Sequence, residues 1–224
     1  MSRDIPAADA EGTGPQQALR ADAEGTGAQR GRPRSQEADR AILTATAELL
    51  ADRGLSAMSI EEVAARAGVG KTTIYRRWPS KGLLALDAFV TSFREEQPPN
   101  DTGTLRGDLL AALHAWVRAV TQTPMGPMLT SLIAEAQHDP ELRGAWRDRV
   151  LGPLRVQHRI MLDRAIERGE IPATVDRDVV LDLFFGAAEH RLLLGHLPIT
   201  DAFIGQVVDV ILGGIAGWPH GPDD

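Results

Sequence analysis

The chain has 224 residues, enough for one or two small domains with a proper core, and 43% of them are hydrophobic. It has no cysteine, which excludes disulfides, thiolate metal sites and a cysteine nucleophile, and neither an apolar run near the roughly 20 residues of a bilayer span nor an apolar signal core at its start; a cytoplasmic, nucleoid-associated protein with no membrane partner is expected. The net charge of −7 is unevenly spread: residues 30–81 hold ten Lys/Arg against six Asp/Glu, and residues 82–224 hold 12 against 20, so a basic module is joined to an acidic body and a nucleic acid would meet the module alone.

Residues 1–29 are rich in Ala, Gly, Asp and Gln, and the heptapeptide ADAEGTG occurs at 8–14 and again at 21–27. So small a repeat buries no core, and residues 1–35 read as a disordered tail ending in a basic arm. The arm, Arg30-Gly31-Arg32-Pro33-Arg34, is similar to the core of minor-groove AT-hooks; Arg32 and Arg34 on an extended backbone are suited to a narrow A·T-rich minor groove. A first helix is predicted over 36–53, with Ala41, Ile42, Ala45, Leu49 and Leu50 near helical spacing and Gly54 as its stop.

Residues 59–81 carry the most information. Ser59 and Glu62 form a capping box, and Ile60, Val63, Ala64 and Ala67 make one apolar face. Gly68-Val69-Gly70 supplies a tight turn. A second helix is predicted over 71–78, directing Ile74 and Trp78 to a core, with Pro79 as its stop and Ser80 capping the next. Two helices joined by a glycine turn have the layout of a DNA-reading helix-turn-helix over 59–78. Lys71, Thr72, Thr73 and Arg76 suit base or near-base contacts; Ser59, Tyr75, Arg77 and Lys81 suit the phosphate backbone; Gly70 belongs to the same DNA-binding set. A competing motif overlaps it: ARAGVGKT at 65–72 satisfies a relaxed phosphate-loop pattern, the remote alternative of an NTPase. That loop must follow a buried strand, and residues 60–67 have helical periodicity instead.

A fourth helix is predicted over 82–97, with Leu83, Leu84, Leu86 and Phe89 inward, then a hinge-like break at Pro98-Pro99-Asn100-Asp101. Further helices are predicted over 104–121, 125–138, 140–169, 176–195 and 200–214, capped by Asp139 before Pro140, by Asp176 and by Thr200, with Gly152-Pro153 kinking the third. No segment alternates like a strand. The expected fold is all-α: an N-terminal three-helix helix-turn-helix domain over 36–96 joined to a helical bundle over 101–216.

The stretch SIEEVAARAGVGKTTIYRRWPSKGLL, preceded by ILTATAELLADRGLSAMSI, resembles the DNA-binding domain of the TetR family of transcriptional regulators. Gly70 stands where many members have serine, and Trp78 where phenylalanine is usual. LTSLIAEAQHDPELR, RAIERGEIP and GAAEHRLLLGHLPIT resemble a C-terminal domain of the same family. The resemblance implies a homodimer on a pseudo-palindromic double-stranded DNA operator, most often as a repressor released by a small molecule. An activator or a ligand-independent DNA binder is the alternative.

The last two helices are apolar over most of their circumference and need partners on more than one side. Leu181, Phe184, Ala188, Leu192, Phe203, Val207, Val210 and Ile211 are the candidate dimer residues. Trp116, Met125, Met128, Leu129, Trp146, Met161, Phe184, Phe185 and His190 are candidates to line a pocket for an apolar ligand, with His114 and His158 adding polarity. No histidine falls in a metal-binding spacing, so neither metal nor cofactor is expected. Glu189-His190-Arg191 reads as a solvated or hydrogen-bonded helix face, without the nucleophile or paired carboxylates an enzyme would need.

Overall fold

The computed structural model describes residues 32–93 and 101–217. The tail, Arg30 and Gly31, the side chains of Arg32 and Arg34, and most of the expected 98–101 break lie outside the described residues. The described chain is helical: α1 (Arg32–Ala57), α2 (Ile60–Ala67), α3 (Lys71–Tyr75), α4 (Lys81–Ser92), α5 (Leu105–Gln122), α6 (Met125–Ala136), α7 (Pro140–Trp146), a π-helical turn (Arg147–Leu151), α8 (Gly152–Glu167), α9 (Arg177–Leu194) and α10 (Asp201–Ala216). No strand occurs among the described residues.

The starts follow from capping chemistry. Ser80, Thr104, Asp139, Asp176 and Thr200 each accept a backbone N–H from the first turn that follows. α1 begins at Arg32, earlier than the expected residue 36, so the end of the arm is helical backbone rather than extended; Pro33 is tolerated there because first-turn N–H groups have no helical partner. Gly54 breaks α1 with φ 74° and ψ 171°. A Cβ there would also approach Ser131 Oγ to 3.1 Å, and that hydroxyl accepts the Leu55 N–H at 2.5 Å.

The predicted 140–169 helix is one rod with a widened turn. Pro153 has no N–H for the 149 carbonyl and its ring crowds that oxygen. The strain is absorbed as a π turn, in which Gly152 N–H reaches back to Arg147 O.

Two hydrophobic cores form. The first joins α1–α4 to α6, α7 and the π turn through Ile42, Leu50, Ile74, Leu86, Met128 and Trp146, among others. The second joins α5 and α8–α10 through Leu109, Leu113, Met161, Phe184 and Val208. Trp116 packs against both. α6 and α7 pack with the N-terminal helices, so the first core draws on residues from both sides of 96–101. α5 is fixed at its start by buried Asp108, which accepts from Thr102 N–H at 2.6 Å and Thr102 Oγ1 at 2.8 Å.

Candidate functional site

The helix-turn-helix is assembled from local chemistry. Ser59 Oγ accepts the Glu62 N–H at 3.2 Å while Glu62 Oε2 accepts the Ser59 N–H at 3.2 Å, so both halves of the capping box are made. The Ser59 hydroxyl, which donates to Glu62 Oε2 at 2.9 Å, and then the Ser59 N–H hold the Glu62 carboxyl below its usual range. Gly68 turns the chain at φ 67°, and the Val69 N–H returns to Ala64 O at 3.0 Å. Val63 and Ile74 are fully buried and lock α2 and α3 onto α1 and α4.

α3 is shorter than the predicted 71–78. Its helix ends at Tyr75, and a tighter turn brings both Arg77 N–H and Trp78 N–H onto Ile74 O. Trp78 stays buried as expected. The 65–72 phosphate-loop pattern is overturned here: it runs from the end of a helix through Gly68 into α3, with no strand before it.

Among the predicted contact residues, Gly70, Lys71, Thr72, Tyr75 and Arg76 form one exposed face and Thr73 is half-buried beside it. Lys71 Nζ bonds Glu61 Oε1 at 2.7 Å, which raises the lysine pKa and lowers that of Glu61. Arg77 and Lys81 are committed to the fold. Arg77 Nε reaches Asp39 Oδ1 at 2.5 Å, and its Nη2 donates to Ser35 Oγ at 2.8 Å. Lys81 Nζ donates to the Met58 and Ser56 carbonyls at 3.1 and 3.4 Å. Ser59 is held in its cap. These three brace the motif, and the free chemistry lies on α3.

A polar relay joins this head to the body, which the sequence did not suggest. Trp78 Nε1 donates to Asp87 Oδ2 at 2.6 Å, and Asp87 is also ion-paired with Arg149 in the π turn. Phe89 of α4 packs on Trp146 at 5.4 Å between centroids.

In the body, the nine pocket candidates do not come together. Met128, Leu129, Trp146 and the half-buried Met125 belong to the first core; Met161, Phe184 and the half-buried Phe185 belong to the second; His190 is exposed, with its ring 5.0 Å from that of His196. Neither of two surface hollows in the structure is lined by any of them. One lies on α1 and α2 around Arg40, Thr44 and Arg66. The other, an apolar groove of about 550 Å³, lies between α9 and α10.

Four dimer candidates, Phe203, Val207, Val210 and Ile211, line that second groove. On α9 the register differs: Leu181, Phe184 and Ala188 are buried inside the protomer, and Leu192 is half-buried against the first core. α9 has two apolar faces, and the outward one carries Val179, Leu183 and Ala187. Arg191 caps the groove, its guanidinium 3.5 Å from the Phe203 ring centroid. No helix of the described residues is long and apolar enough to cross a membrane.

Residues 42–88 match a family described as bacterial regulatory proteins, tetR family, and residues 99–211 match a tetracyclin repressor-like C-terminal domain. The chain is 38% identical over 182 residues to a DNA-binding transcriptional repressor TetR of Mycobacteroides abscessus, covering 80% of this chain and 94% of that one. It is 32% identical over 178 residues to an uncharacterized HTH-type transcriptional regulator, YdeS, of Bacillus subtilis, covering 80% and 89%. A solved TetR family transcription regulator, SCO0332, superposes with a TM-score of 0.67 at 40% identity, covering 80% of this chain and 98% of that one. The transcriptional regulator FadR of Bacillus subtilis, solved in complex with stearoyl-CoA, shares the fold with a TM-score of 0.64 at 19% identity, covering 79% and 98%.

Proposed function

The chain belongs to the TetR family of transcriptional regulators, and on that premise we propose that it is a homodimeric repressor that a small molecule releases from its operator. The observation that carries the DNA-reading part is the exposed face of α3 and the residue that follows it, where Thr72, Tyr75 and Arg76 are exposed and Lys71 is held only in a surface pair with Glu61, while Arg77 and Lys81 are tied into the fold. Two such helices, paired by a two-fold axis, would enter successive major grooves about 34–36 Å or somewhat more apart. Arg76 pairs with a guanine edge, Lys71, Thr72 and Thr73 approach bases, and Tyr75 positions a phosphate. Arg32 and Arg34, at the start of α1, extend the contact along the DNA.

The dimer face is the groove between α9 and α10, on which the apolar side chains of Leu183 and Val210 are exposed. The ligand site lies in the body, where a bound molecule shifts the population of head spacings. Head and body are coupled through α4, which carries both Asp87 and Phe89. DNA fragments selected from the genome by the purified protein, then footprinted across a salt series, test this reading. A palindromic protected site is expected, with affinity falling steeply as salt rises. Weak binding of all fragments alike would refute the specific regulator.

A further inference from the structure

One face of α8 and the π turn is a stripe at alternating four- and three-residue spacing: Ala165, Met161, His158, Leu154, Leu151. Its lower end is buried, with Met161 only 1% exposed, but it emerges from the core as it rises, and Leu154 and Leu151 are each 43% exposed. α8 and α9 run antiparallel, since Asp163 pairs with Arg177 and Arg155 with Asp182. The emerging half of the stripe therefore lies beside the second half of α9, which carries Phe185 and, one turn on, Glu189. His158 meets the Phe185 ring edge-on at 4.7 Å, and Phe185 meets Trp116, the residue that touches both cores, at 6.3 Å.

Two polar groups belong to this face: His158, against the Phe185 ring, and Glu189, one turn beyond Phe185 on α9. Glu189 is half-buried and makes no hydrogen bond or ion pair among the described residues; burial pushes its carboxyl up. His158 Nδ1 meets Leu154 O at 2.7 Å, so the proton sits on Nδ1 and Nε2 is left as an acceptor. Burial lowers the pKa of this ring, which keeps it neutral. In an arginine-rich body an unpaired carboxyl calls for a reason. Nearby arginines are engaged elsewhere: Arg155 and Arg159 with Asp178 and Asp182, and Arg191 with Phe203 and the Pro198 carbonyl.

We propose that the seam edged by Leu151, Leu154, His158, Trp116, Phe185 and Glu189 binds a lipophilic cation, a protonated amine or quaternary ammonium on an apolar frame, with Glu189 as its counter-charge. The inference rests on the ligand-responsive reading above and names the class of ligand. Both polar groups of the seam are acceptors, and the ring faces of Trp116 and Phe185 attract cations. The apolar stripe takes the frame, and the acidic body disfavours an anion.

Titration calorimetry of the full chain with phenylpropyl-trimethylammonium, neutral phenylpropanol and phenylbutanoate tests it. The ammonium should bind about tenfold or more tighter than the alcohol. Glu189→Gln, which keeps the side-chain shape, should remove that preference and leave the alcohol unchanged, while Trp116→Leu should weaken both. Equal affinities, a preference that survives Glu189→Gln, or no binding of any probe would overturn the proposal. Preferred binding of phenylbutanoate would overturn the cation and leave the ligand-responsive reading in place. Release of a selected DNA fragment is followed by anisotropy in the same samples. Cation binding without release would count against that reading and not against the site.

Discussion

Arg76 and Arg77 are adjacent in sequence and have the same side chain, yet the fold gives them different work. Arg76 is exposed at the C-terminal end of α3; Arg77 is tied to Asp39 and Ser35 of α1. Arg76→Ala should cost about 1–3 kcal/mol of DNA affinity and relax discrimination at one base pair, with melting unchanged. Arg77→Ala should instead remove about 1–3 kcal/mol of stability, because it leaves Asp39 without its charged partner; thermal melts and binding to randomised operators separate the two effects. The sequence marked both as cationic but could not assign them, since partners 38 and 42 residues away are invisible to local spacing. Glu62 gives a pH dependence. Its folded pKa is lowered, first by the Ser59 hydroxyl and then by the Ser59 N–H, so its contribution is complete above the ordinary glutamate range and lost as pH falls through the lowered value. The difference in melting temperature between the natural chain and Glu62→Ala should therefore be largest near neutral pH and shrink in acid.

At the scale of elements, the sequence was most legible where a helix begins or ends by local chemistry. Ser59, Ser80, Thr104, Asp139, Asp176 and Thr200 cap as their types require, and Gly68 and Gly195 stop helices with positive φ. It was least legible where packing decides. α3 ends early, at Tyr75, and α1 extends back through Pro33. The π turn is an intermediate case: Gly152-Pro153 announced an interruption, but not that it would place Arg149 against Asp87. That contact gives the turn a mechanical role, because Asp87 also holds the indole of Trp78 at the end of the reading motif. Asp87→Asn keeps an acceptor for the indole and removes the charge that Arg149 needs. It should leave the fold intact and DNA binding within a few-fold, while amide exchange of residues 147–151 and of the α3–α4 turn rises together. Faster exchange in only one of the two segments would show that they are not joined through this carboxylate.

For the whole molecule, the division of charge and of apolar surface argues for assembly. The basic module is small, and a single five-residue reading helix covers only a few base pairs, so specificity requires a second copy held at fixed spacing. The proposed means of holding it is the groove between α9 and α10. Val210 is 75% exposed and Leu183 59% exposed, on adjacent helices that flank one apolar groove. Side chains of this kind rarely lie contiguous on the surface of a monomer. The composition of α9 and α10 indicated that they need additional partners, but the choice of face on α9 was not readable: with two apolar faces, helical spacing alone gave Leu181, Phe184 and Ala188, which the protomer itself buries. Leu183→Glu and Val210→Glu place charges on the outward face without touching either core. Each should shift the protein from dimer to monomer in sedimentation, with helicity retained. Each should also weaken binding to a full palindromic site far more than binding to a half-site, because the second head is no longer delivered by the first. If the variants stay dimeric, the pairing surface lies elsewhere, and the exposed Val156 and Ile160 of α8, outside the ligand seam, become the next face to alter.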